Sequence, residues 1–337
     1  MPSLPDTVDD LLEAFDQPVL VVRAGRVAAA NKAARALLGS AIVDRDIRVA
    51  MRQPQALAAL LAGKKTDIEI AGIGGAERPW TLSVRPIGDD NLLVRLHDRG
   101  EAIAAERMRV DFVANASHEL RTPLATISGY AETLGDDDVP DELRKKFATT
   151  IGTESARMLR IIEDLMSLSR IEADRFRQPR ESIMLDRIAK IAGQQIAPLA
   201  ERRACRIVVE IEQDQVAIVG DSAQLLQAFD NLLSNAIRYG GGERGPITLT
   251  VGKDGLRPFV RITDCGRGIA AEHLPRLTER FYRVDEARSR GSGGTGLGLA
   301  IVKHIVERHR AVLDIRSNPG IGSKFTILFP PESGRLS

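Results

Sequence analysis

The chain has 337 residues, 43% hydrophobic and 28% charged, with a formal net charge of +1. That length exceeds what one hydrophobic core usually spans, so two or three domains are expected. A charge near zero excludes any general pull toward nucleic acid or an anionic membrane, and two cysteines without metal spacing exclude a disulfide framework.

The chain opens M-P-S-L-P-D-T-V-D-D, with neither a basic leader nor an apolar core. No apolar run reaches the roughly eighteen residues that a spanning helix needs. A cytoplasmic protein is expected, with recruitment to a membrane complex through partners open to it. From Pro18, P-V-L-V-V-R-A-G-R-V-A-A-A-N predicts strand, Ala-Gly turn and strand, with a short helix from Asn31. Runs starting at Thr66, Pro79 and Asn91 alternate as half-buried strands. A five-stranded antiparallel sheet with small helices is expected over 1–98. Its only histidine is His97 and it has no cysteine, which argues against haem ligation or flavin–cysteine photochemistry.

His97 to Met108 reads as the entry to a charged helix that continues into F-V-A-N-A-S-H-E-L-R-T-P-L, Phe112 to Leu124. Val113, Ser117, Leu120, Leu124, Ile127, Ala131 and Leu134 alternate spacings of four and three, the seam of a helix packed on other helices. His118 falls one position off that seam, so its ring should face water. A neutral imidazole is nucleophilic, and a neighbouring carboxylate such as Glu119 can fix its tautomer and take its proton. A plain surface histidine is the competing reading of this segment. Pro123 should bend the helix below His118. After G-D-D-D-V-P a second helix is predicted from Asp141 to Ala173, with Phe147, Ile151, Met158, Ile161, Leu165 and Leu168 on its buried stripe. Such a hairpin cannot cover its own stripe, so two copies should pair into a four-helix bundle. The polar stretch from Asp174 reads as a linker.

Farther on, D-N-L-L-S-N-A-I-R-Y-G sets Asn231 and Asn235 on one helix face. Amide oxygens there suit magnesium bridging phosphates, although two capping or solvating asparagines would look the same. Arg238 and Tyr239 follow one turn on, where a cation can meet phosphate and a ring can face a base. Asp264 ends a strand and opens a turn containing Gly266 and Gly268, where a carboxylate can accept from an adenine amino group. Gly291 to Leu299, G-S-G-G-T-G-L-G-L, runs into an apolar helix, a setting that suits phosphate oxygens. Between the two glycine blocks, Arg280, Arg283, Arg288 and Arg290 with Phe281 and Tyr282 read as a mobile lid.

These four blocks, in this order, resemble the sensor histidine kinases of two-component systems, over roughly 101–330. The last three also resemble the wider ATPase superfamily of DNA gyrase, the mismatch-repair ATPases and the ninety-kilodalton heat-shock chaperones. S-R-I-E-A-D and R-F-Y-R-V-D look like the phosphate-regulon group within the family. The resemblance implies a multidomain α+β protein in three parts. These are a PAS-like α/β sensory domain over 1–98, a helical-hairpin dimerisation and histidine phosphotransfer domain over 99–176, and a GHKL-type α/β sandwich ATP-binding domain over 177–332. It implies His118 as phospho-acceptor, with Glu119, Arg121 and Thr122 as catalytic neighbours. ATP would lie against Asn231, Asn235, Arg238, Tyr239, Asp264, Gly266, Gly268, Ile269, Phe281, Tyr282, Arg283, Gly294, Thr295, Gly296, Leu297, Gly298 and Leu299. Mg2+ would sit on Asn235 with Asn231 beside it. Arg238 departs from the family's usual lysine, exchanging a point charge for a planar fork. The implied partners are a second copy of the chain and a response regulator with a receiver domain, of the winged-helix transcription-factor class, with no direct contact to nucleic acid. Kinase and regulator-phosphatase activities are both implied. A gyrase-type ATP-driven clamp and a non-catalytic sensory scaffold are the rival readings.

Overall fold

The computed structural model describes residues 8–73, 78–88, 90–136, 138–174, 177–240, 245–284 and 294–331. They fall into two compact units that divide between Asp111 and Phe112.

The first unit is built on five strands, β1 (Val19–Arg23), β2 (Arg26–Ala30), β3 (Thr66–Ala71), β4 (Pro79–Ile87) and β5 (Asn91–Asp98). They form one antiparallel sheet in the order β2-β1-β5-β4-β3, as the alternation predicts. Ala24 and Gly25 both take positive φ (47° and 75°), the two-residue turn whose twist matches its flanking strands. On β4, Trp80, Leu82 and Val84 point inward to a core shared with α2 (Lys32–Leu38), α3 (Ile47–Ala50) and α4 (Pro54–Ala62). The other face is covered in part by α1 (Val8–Glu13), whose Leu12 packs with Val19 and Val21. Asn31 ties the unit together from 1% exposure. Its Oδ1 accepts from Ala34 N, capping α2, and from Val19 N, while Nδ2 donates to the carbonyls of Leu12, Phe15 and Gln17.

His97 and Asp98 close β5, so the helix that the sequence pattern opens at His97 begins at Gly100. The helix α5 starts at Gly100, whose amide donates to Asp98 Oδ1 at 2.7 Å, and runs to Leu134. It continues through Pro123.

In the second unit, α5 faces α6 (Asp141–Ala173) through Tyr130 and Phe147, with ring centroids 4.8 Å apart. The predicted stripe on α6 has the right phase: Ile161 and Leu168 are fully buried, while Phe147, Ile151, Met158 and Leu165 are half-buried. The seam on α5 stays open in the single chain, Val113 being 59% and Leu124 55% exposed. On α6, Leu159 and Met166 are exposed as well.

Beyond α6 lie β6 (Glu181–Met184), α7 (Leu185–Arg202), β7 (Ile207–Ile211), β8 (Ala217–Gly220), α8 (Ser222–Gly240), β9 (Ile247–Asp254), β10 (Arg257–Asp264), α9 (Gly298–Arg308), β11 (Val312–Asn318) and β12 (Gly322–Leu328). Five strands form a mixed sheet in the order β11-β12-β10-β9-β7, parallel only between β7 and β9. The helices α7, α8 and α9 pack on this sheet, giving the α/β sandwich expected from the sequence. Along α8, Leu225, Ala228, Phe229, Leu232, Leu233, Ala236 and Ile237 bury one stripe. That stripe leaves the flank bearing Asn231, Asn235 and Arg238 to face a cavity.

His309, 4% exposed, joins α9 to the start of α8. Asp221 N–H donates to its Nε2 at 2.9 Å, so Nδ1 carries the proton and donates to the Ile305 carbonyl at 2.7 Å. Burial pushes its pKa below 6.5, opposed by the Ile305 bond, with Arg308 adding to the depression and Asp221 resisting it. The unfolded chain therefore takes up this proton first as pH falls. The neutral ring's stabilisation is complete above pH 6.5 and is lost as pH drops from 6.5 toward the depressed folded value. The thermal midpoint should fall over that window. His309→Gln should flatten the fall, leaving the part due to His304, which burial also depresses. An unchanged pH slope in that variant would refute the assignment.

Candidate active site

His118 lies on α5 and is exposed, as its place beside the seam predicts. Glu119 points to α6, where Arg157 Nη2 holds its Oε2 at 2.8 Å. Arg157 is 7% exposed and also lies 3.7 Å from Glu154, so a buried cation is shared between two carboxylates. Thr122 Oγ1 donates back to the His118 carbonyl at 3.3 Å, and Arg121 is exposed.

A cavity of about 490 Å³ opens in the same unit, within the usual range for a small-molecule site. It is lined by Asn231, Asn235, Arg238 and Tyr239 from α8 and by Asp264, Gly268 and Ile269 from the turn after β10. Tyr282, Arg283, Gly294, Thr295, Gly296, Gly298 and Leu299 complete the set foreseen from sequence. Three members of that set are placed elsewhere. Gly266 packs against Gly240 at the end of α8, so close that a Cβ on either glycine would overlap its neighbours. Leu297 is fully buried in the core. Phe281 turns to Phe112 on α5, with ring centroids 6.0 Å apart, while its N–H donates to the Gly296 carbonyl at 2.9 Å. Arg280, expected to reach phosphates, instead pairs with Glu172 of α6 and lies over the Phe112 ring. Arg288, Arg290 and Gly291 lie outside the described residues.

Asp264 is the best-defined polar group in the cavity. Its Oδ1 accepts from Gly266 N at 2.8 Å and Ser323 N at 3.3 Å, which leaves Oδ2 for a donor on a ligand. Burial raises its pKa, while the two amides pull it down. Arg283 brings a cation with no counter-charge bound to it: its Nε and Nη2 are buried and without partners among the described residues. Burial lowers its pKa, opposed by the nearby Glu119. Buried N–H groups of a guanidinium are costly to leave unmade, so an anionic ligand is the natural complement. Two guanidinium groups lie near the Tyr239 ring, Arg238 at 6.0 Å and Arg267 at 5.6 Å from its centroid. The oxygens of Asn231 and Asn235 are the hard donors magnesium prefers, and both line the cavity, so these residues fit the metal.

Sequence reasoning missed part of the wall. Ile196 and Leu199 of α7, Leu277, Ser323 and Phe325 supply it from elements remote in sequence, and no local motif marks them. It missed Arg160, Glu163 and Asp164 of α6 as well, although their spacing puts them on one helix face.

Comparison with known proteins agrees with this geometry. Residues 220–333 match the family described as the Histidine kinase-, DNA gyrase B-, and HSP90-like ATPase. Residues 108–174 match the His Kinase A (phospho-acceptor) domain. The phosphate regulon sensor protein PhoR of Pseudomonas aeruginosa is 41% identical over 247 residues, covering 72% of this chain and 55% of that protein. This chain therefore spans about half the length of that relative. The sensor-like histidine kinase SenX3 of Mycolicibacterium smegmatis is 38% identical over 276 residues, 80% of this chain and 71% of that one. A solved histidine kinase, ThkA, in complex with the response regulator protein TrrA, aligns over 98% of this chain and 100% of its own. The TM-score is 0.54 at 18% identity, which shows a common fold.

A phospho-acceptor helical hairpin joined to an ATPase sandwich defines a protein histidine kinase. The chain belongs to the sensor histidine kinase family, with PhoR and SenX3 among its relatives.

Proposed function

We propose that the chain phosphorylates itself on His118 from ATP and passes the phosphoryl group to an aspartate of a response regulator. The observation that carries this is the pairing of an exposed His118 and adjacent Glu119 with a cavity holding Asp264 and a half-buried Arg283 whose Nε and Nη2 have no partner among the described residues. Phe112 of the histidine helix packs on Phe281 and Arg280, next to the cavity residues Tyr282 and Arg283, so the histidine helix and this side of the cavity are neighbours.

Asp264 Oδ2 accepts from the adenine amino group, Tyr239 flanks the base, and Arg238, Arg283 and Thr295 meet the phosphates. Asn235, with Asn231 beside it, would hold the magnesium that accompanies ATP and supplies charge neutralisation. An imidazole nitrogen of His118 attacks the γ-phosphorus, the bond to the bridging oxygen breaks, ADP departs, and Glu119 takes the ring proton. Positioning provides most of the acceleration. Glu119 must first exchange Arg157 for the imidazole. Thr122, held on the His118 carbonyl, can turn outward to orient water, which would give the phosphatase activity.

The open seam on α5 and α6 fits a homodimer paired as a four-helix bundle. The sheet order β2-β1-β5-β4-β3, with α2, α3 and α4 packed on one face, fits a PAS-type sensory module. The PhoR likeness supports a place in phosphate-starvation signalling, with a winged-helix regulator as partner. Within the described residues no helix is long and apolar enough to cross a membrane, which fits a cytoplasmic position.

Incubated with γ-labelled ATP and magnesium, the full chain should acquire acid-labile, alkali-stable label on His118. That label should chase fastest onto the regulator of the phosphate regulon among the host's receiver domains. Acid-stable label would overturn the phosphohistidine, and preference for an unrelated regulator would overturn the phosphate assignment.

A further inference from the structure

The glycine-rich loop is already engaged. Thr295 Oγ1 donates to Asp164 Oδ2 on α6 at 2.7 Å, while Leu297 N–H donates to the same hydroxyl at 3.2 Å. A hydroxyl has one hydrogen to give, so a phosphate oxygen can take it only after Asp164 lets go. The neighbouring cation points the same way. Gly294 lies so near Arg238 that a Cβ there would sit 2.9 Å from Nη1, and the Arg238 charge acts on Asp164. Loop hydroxyl, guanidinium and carboxylate thus form one anion cradle with an anion of the protein's own in it. Burial raises the Asp164 pKa, the Thr295 bond pulls it back, Glu163 raises it further, and the charges of Arg160 and Arg238 oppose that rise.

We infer that Asp164 is an internal stand-in for a nucleotide phosphate, and that it determines how tightly the phosphates of ATP are held. This rests on the ATP reading of the cavity and adds the residue that sets affinity at its phosphate end. Entry of the phosphates strips α6 of its bond to the loop. Other fastenings of α6 remain, among them Ser167 Oγ to Gln227 Oε1 at 2.9 Å, Glu172 to Arg280 and His304, and the burial of Leu168 and Ile171 in the sandwich core. Nucleotide binding therefore releases one of several links between the helix hairpin and the sandwich. An internal competitor in place nine-tenths of the time weakens apparent affinity about tenfold.

The test is calorimetric titration of the full chain with Mg-ATP and separately with adenosine, for wild type, Asp164→Asn and Asp164→Ala. Asn keeps the shape and removes the charge, and Ala removes the acceptor, so one folded variant suffices. Mg-ATP should bind about tenfold more tightly to the variants, with adenosine unchanged because it carries no phosphate. Unchanged Mg-ATP affinity would sink the proposal. So would equal tightening of adenosine, which marks a general opening of the cavity, or weaker Mg-ATP, which makes Asp164 a ligand. If wild type binds adenosine and ATP but the variants do not differ, only this inference fails. If wild type binds neither, the nucleotide reading fails first.

Discussion

His118→Ala should abolish transfer of label from γ-labelled ATP, a loss on the order of 10³-fold or more, as expected when a nucleophile is deleted. The side chain is exposed and does not line the cavity. Stability should therefore change by no more than about 0.5 kcal/mol, and nucleotide affinity should stay at its wild-type value. The combination separates chemistry from folding. A calorimetric titration and a melting curve on the same sample provide the controls. Label persisting in the variant would move the nucleophile to another residue.

Gly268→Ala should be the most damaging single methyl in the cavity. Gly268 has φ of 67°, and a Cβ there would overlap the Asn318 carbonyl and lie 3.0 Å from Pro319 Cα. Both obstacles are backbone and cannot swing aside. The turn is also bonded across to the β11–β12 hairpin, through Gly320 N to the Arg267 carbonyl at 2.7 Å and Ile269 N to Ser317 Oγ at 2.8 Å. Relief of the clash must break these bonds and shift Asp264, four residues upstream. We expect a loss of roughly 3 kcal/mol or more from strain and steric overlap together, with ATP binding weakened in whatever fraction stays folded. Gly255→Ala is the matched control. It has φ of 59° and open space around it, so it should cost only about 1 kcal/mol from backbone conformation alone. Equal effects in the two variants, measured by denaturant titration, would show that contact with Asn318 carries no weight.

The sheet of the first unit and the helices of the second were legible because each obeys a period. Trp80, Leu82 and Val84 alternate, and Ile161 and Leu168 recur at helical spacing, so burial follows from the pattern. Within the cavity, the polar residues could be read wherever a motif is contiguous, as along α8 and in the turn after Asp264. What escaped was assembled by topology. Ser323 reaches Asp264 because β12 pairs with β10, a register no short window contains. Phe281, which the family resemblance placed against ATP, has a left-handed backbone, φ 63°, and its ring packs on Phe112 instead. Arg280 misled: a cation in a presumed lid suggests phosphate, but Glu172 is the anion within reach.

The stacking of Phe112 on Phe281 and Arg280 has a mechanical corollary. Phe112 and His118 are carried by one unbroken helix, α5, and the aromatic contact grips the segment that leads into the cavity's upper rim. Adjacent helical positions differ by about 100° around the axis. Any rotation of α5 about its axis would therefore move the Phe112 ring and the His118 imidazole together, so the seat of Phe112 on Phe281 and Arg280 fixes the direction in which His118 points.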